Sequence, residues 1–403
     1  MKYIVILGDG MAGLPIEKLS NRTTLQAANK PAIDKVTALG RTGLLRTVPD
    51  GYEPGSEVAN LVVMGYDLDK VFEGRGSLEA ASMGVEIEQG ELAMRCNLIT
   101  LTPDGLIKNH SAGHISTEEA DILIEYLNKN LGNQEIKLFS GVSYRHLLKL
   151  KGGNKELKCT PPHDVPGTHF SKVMITPQSK QAEATANLLN ELTLRSQELL
   201  KKHPINLKRQ AEGKEPANSI WLWSPGYKPA METLHDKYGI KSGSVISAVD
   251  LIKGIGVYAG LKVIEVEGAT GLYDTNYEGK VSAAIEALKT DDYVYLHIEA
   301  SDEAGHEGDA ELKIRTIEYL SQRVVAPILE AAKNMDDDLT IAILPDHPTP
   351  CDLRTHTRDS IPFVIYNPLK EGDKVAVYDE FSVEEGYYGE IVGDQFMEEL
   401  LKN

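Results

Sequence analysis

YVYLHI (Tyr293–Ile298) is a short apolar run that passes directly into a polar turn, EASDEAGH (residues 299–306). A run of this length is typical of a strand of a parallel sheet, because both faces of such a strand are covered. Two more runs, YIVIL (residues 3–7) and LTIAIL (Leu339–Leu344), also end in polar turns. The sequence therefore predicts an α/β fold with a mostly parallel sheet flanked by helices.

A helix is predicted between the last two of these strands, over about residues 310–333, where apolar residues recur at helical spacing. Pro327 is expected to kink its last turns. A fourth strand, over residues 363–366, follows Pro362, which favours a position near the edge of the sheet. Ligands of such sheets bind beyond the carboxyl ends of the strands, where the Asp and His residues of this chain occur.

The middle of the chain has a different pattern. Hairpin and loop signals between about residues 74 and 229 surround a long predicted helix over residues 181–202, and a strand is predicted over residues 220–223. We therefore predict a second, α+β domain inserted into the first. Residues 1–70 and 238–403 are assigned to the sheet domain and residues 71–237 to the insertion.

Composition limits the classes of partner. The chain has 403 residues, with 42 Lys and Arg against 60 Asp and Glu, so its formal net charge is −18. That charge argues against binding to nucleic acid or to an anionic membrane. Cys96, Cys159 and Cys351 lack zinc-site spacing, and no run approaches the roughly 18 apolar residues of a membrane span. A soluble, cytoplasmic protein is expected.

Acidic and imidazole side chains follow the three predicted strands. Asp302 and His306 lie four residues apart, and Asp346 and His347 precede His356 by nine to ten residues. Asp9 ends the first strand. Each of these alone has an ordinary explanation as a turn or loop residue. Because a parallel sheet brings all three turns to one rim, the set predicts a site for two divalent metal ions such as Zn²⁺ or Mn²⁺.

Ser56 follows Pro54-Gly55 and precedes a run of residues compatible with a helix. The simplest explanation is a serine that caps the helix N-terminus. A helix N-terminus also binds phosphoryl oxygens, and a serine hydroxyl beside a metal ion is activated as a nucleophile. Both interpretations of Ser56 remain open from these residues alone.

A set of ordered motifs along the whole chain resembles the archaeal-type cofactor-independent phosphoglycerate mutases, members of the alkaline-phosphatase-like superfamily. The motifs are Gly8-Asp9-Gly10-Met11, Pro54-Gly55-Ser56, Gly74-Arg75-Gly76, Gly268-Ala269-Thr270-Gly271, Asp274-Thr275-Asn276-Tyr277, Asp302-Glu303-Ala304-Gly305-His306, Asp346-His347 and His356-Thr357. The resemblance implies an alkaline-phosphatase-like metal domain split by an inserted substrate-binding domain, with the active site in the cleft between them.

The resemblance also implies roles for individual residues. Ser56 is expected to accept the phosphoryl group, and Lys253 to lie near it. One metal ion is expected at Asp9, Ser56, Asp346 and His347, and the other at Asp302, His306 and His356. Mn²⁺ is favoured for both, with Mg²⁺, Zn²⁺ and Co²⁺ also compatible with these donors. The candidates for binding the substrate are Arg75, Arg95, Arg145, His163 and Asp164.

The implied reaction interconverts 3-phosphoglycerate and 2-phosphoglycerate through a phosphoserine, without bisphosphoglycerate. Two segments of the insertion, residues 110–114 and 221–226, carry His and Trp where the family pattern has arginine. A branch of the family similar in these segments is proposed to phosphorylate homoserine, so ATP-dependent homoserine kinase activity is the alternative. A silent metal- or phosphate-binding protein is disfavoured, because neither the nucleophile nor any expected ligand is missing.

Overall fold

The computed structural model describes residues 1–402, and these form two compact units. The first consists of Met1–Phe72 together with the chain from Ala230 onward, and the second is Glu73–Pro229. The second unit therefore interrupts the sequence of the first. Its role in binding substrate stays a prediction.

The strands are two to eleven residues long, and those at the centre of the larger sheet are buried on both faces. In chain order they are β1 (Lys2–Gly8), β2 (Arg41–Arg46), β3 (Glu91–Leu101), β4 (Ile107–Asn109), β5 (Ile136–Phe139), β6 (Arg145–Lys151), β7 (Leu157–Lys158), β8 (Thr176–Pro177), β9 (Ser219–Gly226), β10 (Gly243–Ile246), β11 (Lys262–Val263), β12 (Tyr293–Ile298), β13 (Leu339–Leu344), β14 (Ile361–Tyr366) and β15 (Gly389–Val392).

The α-helices range from one turn to five turns. In chain order they are α1 (Thr24–Ala27), α2 (Pro31–Leu39), α3 (Ser56–Val63), α4 (Leu68–Val71), α5 (Arg75–Ser82), α6 (Thr117–Leu131), α7 (Glu183–Lys201), α8 (Pro204–Ala211), α9 (Leu234–Tyr238), α10 (Asp250–Tyr258), α11 (Tyr277–Ala287), α12 (Ala300–Glu307), α13 (Ala310–Tyr319), α14 (Ala326–Ala332) and α15 (Gln395–Leu401). Short 3₁₀ turns occupy Glu17–Leu19, Phe170–Lys172 and Lys180–Ala182.

An eight-stranded sheet in the order β11-β10-β12-β1-β13-β14-β2-β15 forms the centre of the first unit. Among the strands of residues 1–402, β14 alone runs against its neighbours in this sheet. Strands β12 and β13 are buried at every position, and helices α2, α10 and α11 pack against the sheet. The predicted α/β class, with a mostly parallel sheet flanked by helices, is confirmed.

The expectation that the fourth predicted strand lies near a sheet edge is wrong. β14 lies between β13 and β2 and is antiparallel to both. Its pairing with β13 extends only from Val364 to Tyr366, so Pro362 lies beyond the end of that ladder. The missing N–H of Pro362 is therefore not needed for pairing with β13, and proline is tolerated in an interior strand.

The predicted helix over residues 310–333 is present as three consecutive segments. Helix α13 passes into a π-helical segment, Leu320–Val325, which passes into α14. Pro327 is near the start of α14. Proline lacks the N–H that an α-helix needs at this point, so a wider turn before it is a common solution.

The second unit is built on antiparallel pairing. Strand β3 pairs with β9 and β6, β5 extends the sheet from β6, and β4 pairs with the end of β3. Alternate residues of β3, from Leu92 to Leu98, pack into a core with α6 and α7. The intervening residues, including Arg95 and Asn97, therefore lie on the opposite face. No helix in residues 1–402 is long and apolar enough to cross a membrane.

Two neighbouring positions of α6 test this core. Leu123 is fully buried in it, whereas Ile122 is 51% exposed. Leu123→Ala should lower the free energy of unfolding by about 2–5 kcal/mol, because it leaves a cavity. Ile122→Ala should change it by less than about 0.5 kcal/mol. Urea unfolding followed by circular dichroism measures both, and equal losses would contradict the assigned face of α6.

Candidate active site at the carboxyl ends of three strands

The site lies at the carboxyl ends of β12, β1 and β13, three adjacent parallel strands at the centre of the sheet. Asp9 directly follows β1, Asp346 follows β13 by two residues, and Asp302 lies in the first turn of α12 after β12. All three residues are buried, with at most 5% of each residue exposed. The strand order therefore delivers three buried aspartates to one edge.

Asp9, Asp346 and His347 form the first candidate metal-binding group, with ligand atoms within 4.8 Å of one another. His347 Nε2 lies 3.4 Å from Asp346 Oδ2 and 3.8 Å from Asp9 Oδ1. Asp9 Oδ1 is buried and finds no hydrogen-bond donor among residues 1–402. A buried carboxylate oxygen without a donor is costly unless a cation satisfies it, so this group fits a divalent ion.

Asp302, His347 and His356 form a second candidate group of the same kind. His306 adjoins it, because its Nε2 lies 3.2 Å from Asp302 Oδ2 and 2.9 Å from His356 Nε2. The rings of His347 and His356 stack with centroids 3.8 Å apart. His347 thus belongs to both groups. The Asp and His donors fit Mn²⁺, Zn²⁺ and related ions alike.

Ser56 is the first residue of α3, and Gly55 is the residue that caps this helix. Its Oγ lies 3.2 Å from His347 Nε2, so the serine is next to the imidazole shared by both groups. The side chain is half-buried. A hydroxyl placed beside two candidate cation sites and a helix N-terminus is suited to attack on a phosphoryl group.

Burial and neighbouring groups shift the pKa values of Asp9 and Asp302 in opposite directions. Burial, together with the charges of Asp346 and Asp302, raises the pKa of Asp9 well above its usual value. Burial opposes ionisation of Asp302 as well, but hydrogen bonds with His306 and His356 hold its pKa well below the usual range. Bound dications would relieve the repulsion and favour all three charged forms.

Three residues that the sequence analysis did not single out hold the aspartates in place. His297 Nε2 lies 3.0 Å from Asp9 Oδ2. Asn60 Nδ2 donates to Asp346 Oδ2 (2.9 Å), and Tyr295 donates its hydroxyl to Asn60 Oδ1 (2.6 Å). Two features of the sequence could have identified these three residues. Tyr295 and His297 lie two residues apart on a buried strand, so they share one face of it. Asn60 is one helical turn after Ser56, so these two residues share one face of α3.

Gly10 is required between two of these aspartates. Its φ is +60°, and a Cβ there would lie 2.5 Å from Asp302 Oδ1. Its N–H donates to Asp346 Oδ1 at 3.2 Å. A side chain at this position would be strained and would displace Asp302.

The ammonium group of Lys253, on α10, forms ion pairs with acidic side chains. Its Nζ lies 2.9 Å from both carboxylate oxygens of Glu265 and 3.8 Å from Asp250 Oδ1. Helix α10 packs against α3, which carries Ser56. The ammonium is therefore held by an ion pair, and its predicted place near a transferred phosphoryl group stays a prediction.

The arginine candidates lie in the second unit and gather around Glu79. Arg75 Nε lies 3.0 Å from Glu79 Oε1, and Arg95 Nη1 lies 3.6 Å from the same oxygen. Although burial opposes its ionisation, the charges of Arg95, Arg75 and Arg145 lower the pKa of Glu79. Three guanidinium groups around one carboxylate leave two positive charges in excess, which suits an anionic ligand.

His163 packs edge-on against the indole ring of Trp223, and the same ring lies 4.1 Å from the guanidinium carbon of Arg95. His163 Nε2 lies 3.6 Å from Asp164 Oδ1, and both side chains are about half exposed. Burial lowers the pKa of His163, so its ring is neutral at physiological pH. These two candidates adjoin the arginine cluster, but neither is fixed by a buried partner.

Fold and site together define an α/β protein with two His/Asp groups and a serine at the carboxyl edge of its sheet, an arrangement suited to metal-dependent phosphoryl transfer. A family model described as 2,3-bisphosphoglycerate-independent phosphoglycerate mutase matches residues 38–206. The enzyme of that name from Methanosarcina mazei is 54% identical over 406 residues, covering 100% of both chains.

Two solved structures are similar over nearly their full length. A Pyrococcus horikoshii protein has 29% identity and a TM-score of 0.83, covering 99% of this chain and 96% of that one. The cofactor-independent phosphoglycerate mutase from Thermoplasma acidophilum has 25% identity and a TM-score of 0.68, covering 100% and 99%. The chain belongs to the 2,3-bisphosphoglycerate-independent phosphoglycerate mutase family, and the protein is an isomerase of that family.

Two buried tyrosines of β12 test the partners of the aspartates. Tyr295→Phe removes the hydroxyl that orients Asn60 and through it Asp346, so Mn²⁺ affinity should fall about tenfold. Tyr293→Phe is the control, because its hydroxyl is equally buried and, among residues 1–402, bonds only to the sulfur of Met397, at 3.9 Å. Titration of metal-free protein with Mn²⁺ followed by electron paramagnetic resonance measures both. Equal affinities in the two variants would remove Tyr295 from the site.

Proposed function

We propose that the protein interconverts 3-phosphoglycerate and 2-phosphoglycerate through a phosphoserine at Ser56, without bisphosphoglycerate. The observation that carries this proposal is the position of Ser56 Oγ, 3.2 Å from the imidazole of His347, which both candidate metal groups share. The family membership supplies the substrate class, because the Methanosarcina mazei relative is named as a phosphoglycerate mutase.

Two divalent ions, Mn²⁺ in our proposal, would be held at this edge. Their chemistry when bound is Lewis-acid stabilisation of negative charge on the phosphoryl, entering and leaving oxygens. Asp9, Ser56, Asp346 and His347 would hold one ion, and Asp302, His306 and His356 the other. The unpartnered Asp9 Oδ1 and the close approach of His306 Nε2 to His356 Nε2 support this assignment.

Ser56 performs the covalent step in this proposal. Its Oγ forms a bond to phosphorus while the bond between phosphorus and the C3 oxygen of the substrate breaks, and glycerate leaves with the proton in place of the phosphoryl group. The C2 hydroxyl of the same glycerate then attacks phosphoserine, Ser56 regains its proton, and 2-phosphoglycerate forms. The two half-reactions balance, so no other phosphoryl donor is needed.

The arginine cluster of the second unit is proposed to bind the substrate carboxylate. Arg75 and Arg95 are held by Glu79, whereas Arg145 is exposed at the start of β6. A guanidinium group matches a carboxylate with two parallel hydrogen bonds. His163 and Asp164 are proposed as further contacts beside this cluster. Lys253 is proposed to bind the transferred phosphoryl group. To do so, its ammonium would have to leave the ion pair with Glu265.

The alternative, transfer from ATP to L-homoserine on the same serine, relied on a histidine pair, His110 and His114, and on Trp221 and Trp223 in segments where the family pattern has arginine. The two tryptophans have a structural explanation. Both indoles are buried in a small core with Ile99, and Trp221 donates to the backbone oxygen of Thr160. They therefore serve packing, and the nearby arginines supply cationic groups that the two segments lack. This argument favours a phosphorylated carboxylic acid as the substrate.

Phosphorus NMR of the purified protein distinguishes the two reactions. With Mn²⁺ and 3-phosphoglycerate alone, the 2-phosphoglycerate resonance should appear and reach equilibrium. With ATP and homoserine, no new phosphomonoester should form. An unchanged first sample together with a new phosphomonoester in the second would reject the mutase proposal in favour of the kinase.

Ser56→Ala tests the nucleophile in the same assay. Conversion should fall to background, because the phosphoryl group has no acceptor on the enzyme. Mn²⁺ binding should persist, since the Asp and His donors remain. Turnover within tenfold of the unmodified enzyme would exclude phosphoserine as the intermediate.

Arg145→Ala tests recognition of the carboxylate. Loss of a charged hydrogen bond of about 1.5–3 kcal/mol should raise the KM for 3-phosphoglycerate roughly ten- to hundredfold. Arg195→Ala is the matched control, because Arg195 is also exposed in the second unit, where it pairs with Glu191 on α7. Steady-state kinetics measures both variants, and an equal KM would place the carboxylate elsewhere.

A further inference from the structure

Lys313, on α13, has an unusual environment for a lysine. Its side chain is 0% exposed, and its Nζ donates to the backbone oxygens of Ala12 (2.8 Å) and Thr349 (2.7 Å). Within residues 1–402, no carboxylate lies within ion-pair distance of this ammonium. Burial lowers the pKa of Lys313 to about 8, so the charged form still predominates at neutral pH.

The two carbonyl groups belong to loops that carry candidate metal ligands. Ala12 is three residues after Asp9, and Thr349 is two residues after His347. The backbone N–H of Thr349 also donates to Ala12 O at 3.1 Å, so the two loops meet at the lysine. The helix of Lys313 directly follows α12, which carries Asp302 and His306.

Thr349 extends this contact to the third aspartate. Its hydroxyl donates to Asp302 Oδ1 at 2.5 Å and lies 3.3 Å from His347 Nδ1. The carbonyl of the same residue is the one that Lys313 binds. A shift of Thr349 would therefore move a ligand from each candidate group.

Burying an ammonium group costs free energy, and an apolar side chain would fill the same space at lower cost. An apolar side chain cannot donate to either buried carbonyl oxygen, and Thr349 O would lose the donor that Lys313 provides, whereas Ala12 O would keep the N–H of Thr349. The requirement for a lysine thus comes from the loop conformations and not from the packing of α13.

We propose that Lys313 is a positioning residue, which fixes the three ligand-bearing segments relative to one another by binding the carbonyl oxygens of Ala12 and Thr349. This inference rests on the proposed metal sites and adds to them. Lys313 touches neither substrate nor metal. It acts through Thr349 and through the loop that follows β1.

Lys313→Met keeps the length of the side chain and removes its donors. In metal-free protein titrated with Mn²⁺, affinity should fall about ten- to hundredfold, the range seen when a partner of a metal ligand is lost. The paramagnetic resonance spectrum of the bound Mn²⁺ should broaden, because the ligand positions are less uniform. The kcat should fall with it, while the KM for 3-phosphoglycerate changes less than threefold.

Lys2→Met is the matched control. Lys2 is 8% exposed and donates to the backbone oxygen of Asp291 (3.1 Å), so it shares the contact of a buried ammonium with a carbonyl, although its Nζ also lies 3.9 Å from Asp337 Oδ2. It lies at the amino end of β1, whereas the site lies beyond the carboxyl end of the same strand. Its Mn²⁺ affinity should equal that of the unmodified protein.

A lower thermal stability of metal-free Lys313→Met together with unmodified Mn²⁺ affinity would overturn the proposal and leave a purely structural role. If this variant does not fold, Thr349→Val is measured instead. It keeps the ammonium contacts but removes the hydroxyl bond to Asp302, so its Mn²⁺ affinity should also fall. Unchanged affinity in Thr349→Val would contradict the proposed route.

The unmodified protein separates this inference from the proposed function. Mn²⁺ binding without any turnover of phosphoglycerate rejects the function and leaves the role of Lys313 to be decided by the variants. If the unmodified protein turns over phosphoglycerate and all variants bind Mn²⁺ with equal affinity, the positioning role of Lys313 is rejected and the proposed function is not. Absence of Mn²⁺ binding in the unmodified protein rejects both.

Discussion

Electrostatic repulsion among three buried carboxylates is the constraint on which the site depends. Asp9, Asp302 and Asp346 meet at one sheet edge because β12, β1 and β13 are adjacent and parallel. Side chains and backbone N–H groups bind most of their oxygens, but Asp9 Oδ1 has no donor among the described residues. Bound cations would relieve this repulsion and satisfy Asp9 Oδ1, and this explains why the geometry favours metal ions.

His297 and Asn60 hold two of the carboxylates without adding a positive charge. His297 and Asn60 each bind one aspartate, and burial lowers the pKa of His297 to about 3, so its ring is neutral. Lys313 adds a cation, but its ammonium binds backbone oxygens. The negative charge thus stays available at the edge, where two ions and a phosphoryl group are proposed to bind.

The central strands and the three aspartates could be predicted from sequence, because both depend on residues that are close together along the chain. Apolar runs that end in polar turns predicted the central strands, and the same turns carry Asp9, Asp302 and Asp346. The position of β14 was predicted wrongly, because a proline is informative about an edge only when the register of the strand is known. Asn60 and His297 were missed, since their partners are more than 280 residues away along the chain. The grouping of Arg145 with Arg95 likewise depends on the pairing of β3 with β6.

The most direct test of the account is anomalous diffraction from crystals grown with Mn²⁺. The account predicts two anomalous peaks at the carboxyl edge of the sheet. One should lie among Asp9, Asp346 and His347, beside Ser56 Oγ, and the other beside Asp302 and the imidazoles that contact it. Peaks elsewhere on the protein, or none at this edge with Mn²⁺ in excess, would contradict the claim that the three carboxylates form a two-metal site.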